Sequence, residues 1–120
     1  MAEIIEQSRI PKRTLVDGFK VPAIVLGTFG SDKYNSVQIA EAVYGGIRAG
    51  YRMIDCASVY QNGNRIGESI ERVLKEGIVD RADLFITSKV WNDMHNRVKE
   101  SCEKSLKDLR VSYLDLYLVH

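Results

Sequence analysis

The sequence predicts a parallel α/β fold, and three observations carry that expectation. Short apolar runs alternate with helical stretches of roughly 10–15 residues, the order that builds βαβ units. The helical stretches each show one apolar face at 3.6-residue spacing. Three of the four apolar runs end on ionisable residues, which is where parallel β/α proteins place their chemistry. The order reads hairpin, β, α, β, α, β, α, β over residues 1–120 as one domain, with no linker or low-complexity tract.

The hairpin comes first. Thr14-Leu15-Val16-Asp17-Gly18-Phe19-Lys20-Val21-Pro22 sets two short β-prone runs around Asp17-Gly18, a dipeptide suited to the positive φ angles of a type I′ turn. Ala23-Ile24-Val25-Leu26-Gly27 is apolar throughout, as in strands buried on both faces. Gly27-Thr28-Phe29-Gly30-Ser31 is a loop whose glycines would let backbone approach a ligand. It is not a G-x-G-x-x-G fingerprint, and an ordinary turn fits it equally well. Val37 to Ala49 is helical, with Val37, Ala40, Val43, Tyr44 and Ile47 on one face and Gly50 at the carboxyl cap. Gly45-Gly46 costs that helix about 1 kcal/mol per residue relative to alanine. Close packing against a strand would explain the pair.

Met53-Ile54-Asp55 is the second strand. Ile66, Ile70, Val73 and Leu74 mark the apolar face of the second helix, which Gly77 stops. Arg81-Ala82-Asp83 leads into the third strand, Leu84-Phe85-Ile86-Thr87-Ser88, which ends on Lys89. Asp93 fits the N-cap of the third helix, whose buried face is Val98, Cys102, Ser105, Leu106 and Leu109. Tyr113 to Val119 is the fourth strand, and His120 follows it.

Composition excludes several function classes. Seventeen Lys and Arg stand against 16 Asp and Glu, with no basic stripe and interleaved aromatics, so nucleic acid is not expected as a partner. No apolar run approaches the roughly 20 residues that span a bilayer, so neither is a membrane. Met1-Ala2-Glu3-Ile4-Ile5-Glu6-Gln7 lacks the basic region and apolar core of a secretory signal. Cys56 and Cys102 read as reduced thiols, small buried hydrophobes of a cytoplasmic protein. The cysteines and histidines show no C-x-x-C or H-E-x-x-H spacing, so no metal is expected. Phosphate-loop and Tyr-x-x-x-Lys patterns are missing as well.

The strand tips carry the chemistry. The second strand ends on Asp55, the third on Lys89 and the fourth on His120, and parallel neighbours lie about 4.8 Å apart. Tyr60 hangs over them from the loop after Asp55. Tyrosine, with an ordinary pKa of about 10, is a weak proton donor at neutral pH, and a nearby ammonium favours its phenolate. Lys89 would supply the ammonium, Asp55 would hold Lys89 charged, and His120 would orient a substrate oxygen. Such a group protonates an oxygen while a nicotinamide hydride attacks the carbon. Taken singly, Asp55 reads as a cap or ion-pair partner, Lys89 as a surface lysine, His120 as a chain terminus and Tyr60 as a packed aromatic. Together they tilt towards a site.

These residues resemble a known family. Gly50-Tyr51-Arg52-Met53-Ile54-Asp55-Cys56-Ala57, with Tyr60, Asn62 and Ile66-Gly67, is similar to the first signature of the aldo-keto reductases. Phe85-Ile86-Thr87-Ser88-Lys89-Val90-Trp91 resembles their lysine segment, and Leu114-Asp115-Leu116-Tyr117-Leu118-Val119-His120 their histidine strand. The resemblance implies a parallel (β/α)8 barrel closed at the bottom by the Thr14–Pro22 hairpin, and NADPH-linked reduction of aldehydes or ketones. It implies Tyr60 as proton donor with Asp55, Lys89 and His120 as catalytic partners. Thr28, Phe29 and Asp55 match positions at the nicotinamide end of the cofactor. Phe29, Val59, Trp91 and His120 match the substrate pocket.

Gly63 departs from the family's usual glutamate, Met53 from a common histidine and Phe29 from a frequent tryptophan. The chain is also shorter than a barrel of about 250 residues. It is therefore expected to be the amino-terminal half of a truncated reductase, lacking most of the cofactor grip and showing no saturable NADPH binding at micromolar levels. Two other readings stand beside the enzyme. One is a non-catalytic binding or structural protein derived from the family. The other is a half barrel that self-associates to complete its sheet.

Overall fold

The chain opens with an antiparallel hairpin, Lys12–Thr14 (β1) and Lys20–Pro22 (β2), in a computed structural model that describes residues 10–30 and 33–120. Met1–Gln7 and Ser31 of the glycine loop lie outside those residues. Four strands and three helices then alternate: Val25–Gly27 (β3), Ser36–Ala49 (α1), Met53–Asp55 (β4), Gly63–Lys75 (α2), Phe85–Val90 (β5), Val98–Leu109 (α3) and Leu116–Val119 (β6). The sheet order is β3-β4-β5-β6 with every pair parallel, as expected of successive βαβ units. Four parallel strands with helices on one face make a partial (β/α) barrel wall. Phe19 of the hairpin meets Phe85 with ring centroids 6.1 Å apart, at the amino-terminal end of β5. The hairpin thus covers the end of the sheet opposite the site.

The core lies between sheet and helices. Ile54 and Ile86 from the two central strands pack with Val43 and Ile47 of α1, Ile66, Ile70 and Val73 of α2, and Leu109 of α3. Side chains alternate across a strand. Sending Ile54 and Ile86 to the helices therefore puts Asp55 and Lys89 together on the opposite, inner face. That face is open: Val25, Leu116 and Leu118 are 46%, 40% and 40% exposed. Among the described residues β3 and β6 are the edge strands of this sheet.

Local chemistry sets the helix ends. Asn35 accepts from the Gln38 N–H while the Gln38 side chain accepts from the Asn35 N–H, both at 2.9 Å, a capping box that starts α1. Gly50 ends it at φ 119°, the left-handed conformation expected of that glycine. Of the glycine pair, Gly46 has the packing reason: a Cβ there would come within 2.7 Å of Leu26 on β3. Gly45 has none, since nothing lies within 4 Å. Arg52 is buried and caps the carboxyl end of α1 by donating to the Ile47 and Tyr51 carbonyls. Burial lowers its pKa from the ordinary arginine value, and the charge of Asp83 opposes that.

Several expectations need correction. The Asp17-Gly18 turn is not type I′, because Asp17 keeps a negative φ and only Gly18 is positive, at 86°. Gly18 N–H donates to the Leu15 carbonyl and Leu15 N–H to Phe19, so the connection has three residues, with glycine in the left-handed position. β3 is not buried on both faces, because its inner face borders the open side of the sheet. Asp93 does not cap α3: it sits in the 3-10 turn Asn92–Met94, and the helix starts after Arg97. The buried face of α3 is Ser101, Ser105 and Leu109, with Val98 exposed and Cys102 half-buried. Small hydroxyls let the helix sit close on the sheet, Ser105 Oγ lying 3.4 Å from Ser88 Oγ and Ser101 accepting from Tyr117 at 2.8 Å. β6 starts three residues later than Tyr113, because Asp115 accepts from Arg81 and from the Ile86 N–H in front of it. Among the described residues no helix is long and apolar enough to cross a membrane.

Candidate active site

Asp55 and Lys89 meet on the inner face at the carboxyl end of the sheet. Lys89 Nζ donates to Asp55 Oδ1 at 2.7 Å and to the Cys56 carbonyl at 2.8 Å. Two of its three N–H donors are thereby engaged. The lysine side chain is 12% exposed and the aspartate 34%, so the pair is shielded from one side and open to solvent from the other. Charge-assisted bonds of this length fix the ammonium in place more than they stabilise the fold.

Tyr60 stands beside that ammonium. It ends the 3-10 turn Ser58–Tyr60, and its ring centroid is 5.2 Å from Lys89 Nζ. Around it, Phe29 lies at 5.2 Å and His120 at 6.2 Å between ring centroids, the latter edge-on. Trp91 meets His120 edge-on at 4.9 Å. His120 is placed by its own N–H, which donates to the Val90 carbonyl. The Tyr60 hydroxyl has no hydrogen-bond partner among the described residues. The four groups read from the strand tips are therefore brought together, with Lys89 one residue inside its strand rather than after it.

Thr28 and Asn62 lie beneath the site. Thr28 Oγ1 donates to the Asp55 carbonyl at 2.7 Å, and Asn62 Nδ2 donates to the Thr28 carbonyl at 2.8 Å. Both residues are buried, so the Thr28 side chain faces its own protein. Cys56 is buried next to them, and burial first of all pushes its thiol up from 9.0 to about 12. Val59 is placed apart from the aromatic group. It lines a cleft of about 700 Å3 between the Ser58–Tyr60 turn, the Trp91–Met94 segment and α3, a cleft that also holds Trp91 but none of Asp55, Tyr60, Lys89 or His120. The expected pocket walls Phe29 and Trp91 flank Tyr60 and His120, on a face that is open rather than enclosed. Among the described residues no group of three or more His, Cys, Asp or Glu could hold a metal ion.

The strand tips and the fold have counterparts in known proteins, because the pattern of the aldo/keto reductase family matches residues 23–120. The chain belongs to that family. It is 46% identical over 109 residues to the NAD(P)H-dependent D-xylose reductase of Pachysolen tannophilus, covering 89% of this chain and 33% of that one. It is 44% identical over 108 residues to aldose reductase C of Dictyostelium discoideum, covering 88% of this chain and 33% of that one. The crystal structure of the Bombyx mori aldo-keto reductase in complex with NADP superposes with a TM-score of 0.87 at 40% identity, over 92% of this chain and 38% of that one. The chain thus spans about a third of the length of the curated relatives it matches.

What the sequence did not flag is the contact between Thr28 and Asn62 under the site. Nothing in the local pattern marks Asn62 as a partner of Thr28, 34 positions away. Only the parallel pairing of β3 with β4 brings their loops together.

Proposed function

We propose that these residues are the proton-donating part of an NADPH-dependent reductase of small aldehydes and ketones, working in the cytoplasm. The observation that carries the proposal is the Lys89 ammonium, held between Asp55 and the Cys56 carbonyl with the Tyr60 ring 5.2 Å away. A cation beside a phenol stabilises the phenolate left after proton donation. The relatives' names support a nicotinamide cofactor and a carbonyl substrate.

The inner face fits the nicotinamide end of such a cofactor. Gly27 sits opposite Asp55 in the sheet, and a Cβ there would meet nothing within 4 Å. Phe29 stands 68% exposed beside it. Phe29, Asp55 and the Thr28 backbone would hold that end, and the bound cofactor supplies the hydride. The chain's own residues handle the proton. Tyr60 gives its hydroxyl proton to the carbonyl oxygen, Lys89 stabilises the resulting phenolate, and Asp55 holds Lys89 in place. His120 orients the oxygen, and Phe29 and Trp91 bound the substrate with it, whereas Val59 faces the neighbouring cleft.

The test uses a chimera in which residues 23–120 replace the matching segment of the Bombyx mori reductase. NADPH oxidation in the presence of 4-nitrobenzaldehyde is expected. A folded chimera that binds NADPH and leaves the aldehyde unreduced would refute the assignment. The 120-residue chain alone is expected to show no saturable NADPH binding at micromolar levels.

A further inference from the structure

Tyr60 reaches Lys89 from a loop whose own preferences do not put it there. Its turn is followed by Gln61 at φ 58° and ψ 28°, the left-handed region that a residue with a side chain avoids. The Tyr60 ring touches Phe29 and His120, both exposed, and exposed rings do not fix a loop. The turn must be tied from elsewhere.

Beyond the backbone anchoring of Cys56 at the loop's start, two side chains of the turn and its exit make ties. Ser58 Oγ donates to the Lys89 carbonyl at 3.3 Å, a long bond in an exposed place. Asn62 Nδ2 donates to the Thr28 carbonyl at 2.8 Å, with Asn62 4% and Thr28 0% exposed. The second decides the placement. Water cannot replace a hydrogen bond in a dry site, so opening it strands a buried amide and a buried carbonyl, whereas the exposed tie exchanges with solvent at little cost. Thr28 in turn donates to the Asp55 carbonyl at 2.7 Å. The links Asn62–Thr28–Asp55 therefore close a ring of chain that contains the Tyr60 turn and begins and ends at Asp55.

The use made of Asn62 is independent support. It occupies the N-cap of α2, a position where asparagine ordinarily accepts from the helix's free N–H groups, yet it makes no such bond. Its side chain is spent on Thr28 instead, and its Oδ1 is buried without a partner. A residue chosen only to start the helix would be used the other way.

We propose that Asn62, acting through Thr28, is the positioning residue that holds the Tyr60 phenol over Lys89. This rests on the reading of Tyr60 as proton donor, and its test reads placement rather than turnover. The chain is labelled with 3-fluorotyrosine, and Tyr60→Phe identifies the Tyr60 signal among the six tyrosines. Asn62→Asp keeps size and capping ability but loses the donor to Thr28. Thr28→Val loses the hydroxyl, and Thr28→Ser keeps it.

In Asn62→Asp and Thr28→Val, the Tyr60 fluorine resonance is expected to move to its unfolded-chain position and to lose its cross-relaxation with the Phe29 ring. The other five signals stay, and Thr28→Ser leaves all six in place. A native Tyr60 signal in folded Asn62→Asp overturns the proposal. So does a joint shift of all six signals, which would mean that Asn62 only stabilises the fold. Should Asn62→Asp not fold, the two Thr28 variants decide: Tyr60 moving in valine but not in serine supports the tie, and Tyr60 unmoved in both overturns it. An unmoved Tyr60 leaves the proton-donor reading standing, whereas a fully active Tyr60→Phe chimera removes that reading whatever the fluorine spectrum shows.

Discussion

Gly45→Ala and Gly67→Ala are one chemical change at two helix-interior glycines, and the structure gives them opposite signs. Each gains about 1 kcal/mol of helix propensity. At Gly45 the new methyl meets nothing within 4 Å, so the whole gain of about 1 kcal/mol is retained. At Gly67 a Cβ would lie 3.1 Å from the carbonyl carbons of Asp108 and Leu109, and well inside contact distance of the Asp108 oxygen. The Asp108 oxygen is the tightest contact, so the α3 backbone would have to retreat by about 1 Å to restore van der Waals separation. That helix carries Leu109 into the core, where overpacking costs about 1–3 kcal/mol. The upper end applies, because backbone rather than a mobile side chain must move. After the propensity gain, Gly67→Ala should be destabilised by about 1–2 kcal/mol and should lie about 2–3 kcal/mol below Gly45→Ala. Urea unfolding followed by far-ultraviolet circular dichroism reads both midpoints. Equal stabilisation of the two variants would refute the close α2–α3 approach on which this reasoning depends.

Three other outcomes are expected. Cys56, its thiol raised to about 12 by burial, should resist a thiol reagent in the native protein at pH 8 and react at once in denaturant. The same shift gives a pH dependence: the stability contributed by the neutral thiol is complete below 9.0 and lost as pH climbs from there towards about 12. A chain equally stable across that window after correction with Cys56→Ala would contradict it. Asp115→Ala strands the Ile86 N–H and removes the carboxylate facing the Arg81 guanidinium, which keeps its bonds to the Leu84 and Tyr113 carbonyls, and should cost about 1–3 kcal/mol in the same urea assay.

Much of the fold was legible because βαβ units write themselves in periodicity. Ile54 and Ile86 at strand centres and Ile66, Ile70 and Val73 along α2 are where the apolar pattern put them. The nearness of Asp55 and Lys89 was legible from the strand tips. Strand alternation forces Asp55 and Lys89 onto one face once their neighbours are core residues. What the pattern missed depends on partners distant in sequence. Asp93 looks like a cap until the Trp91–Arg97 segment closes on itself through the Met94 to Trp91 and Arg97 to Met94 hydrogen bonds. Ser101 looks polar and solvent-facing until Tyr117 donates to it. Arg52 looks like a surface cation until it is found buried on the end of α1. The Thr28–Asn62 tie has no local signal at all.

The central claim is that Tyr60, held beside Lys89, delivers the proton. Its most direct test is single-turnover NADPH oxidation by the chimera carrying residues 23–120, compared with the same protein bearing Tyr60→Phe. Loss of a positioned proton donor should slow the reduction by about 10²–10⁴-fold while NADPH binding is unchanged. An unaltered rate in Tyr60→Phe would contradict the account.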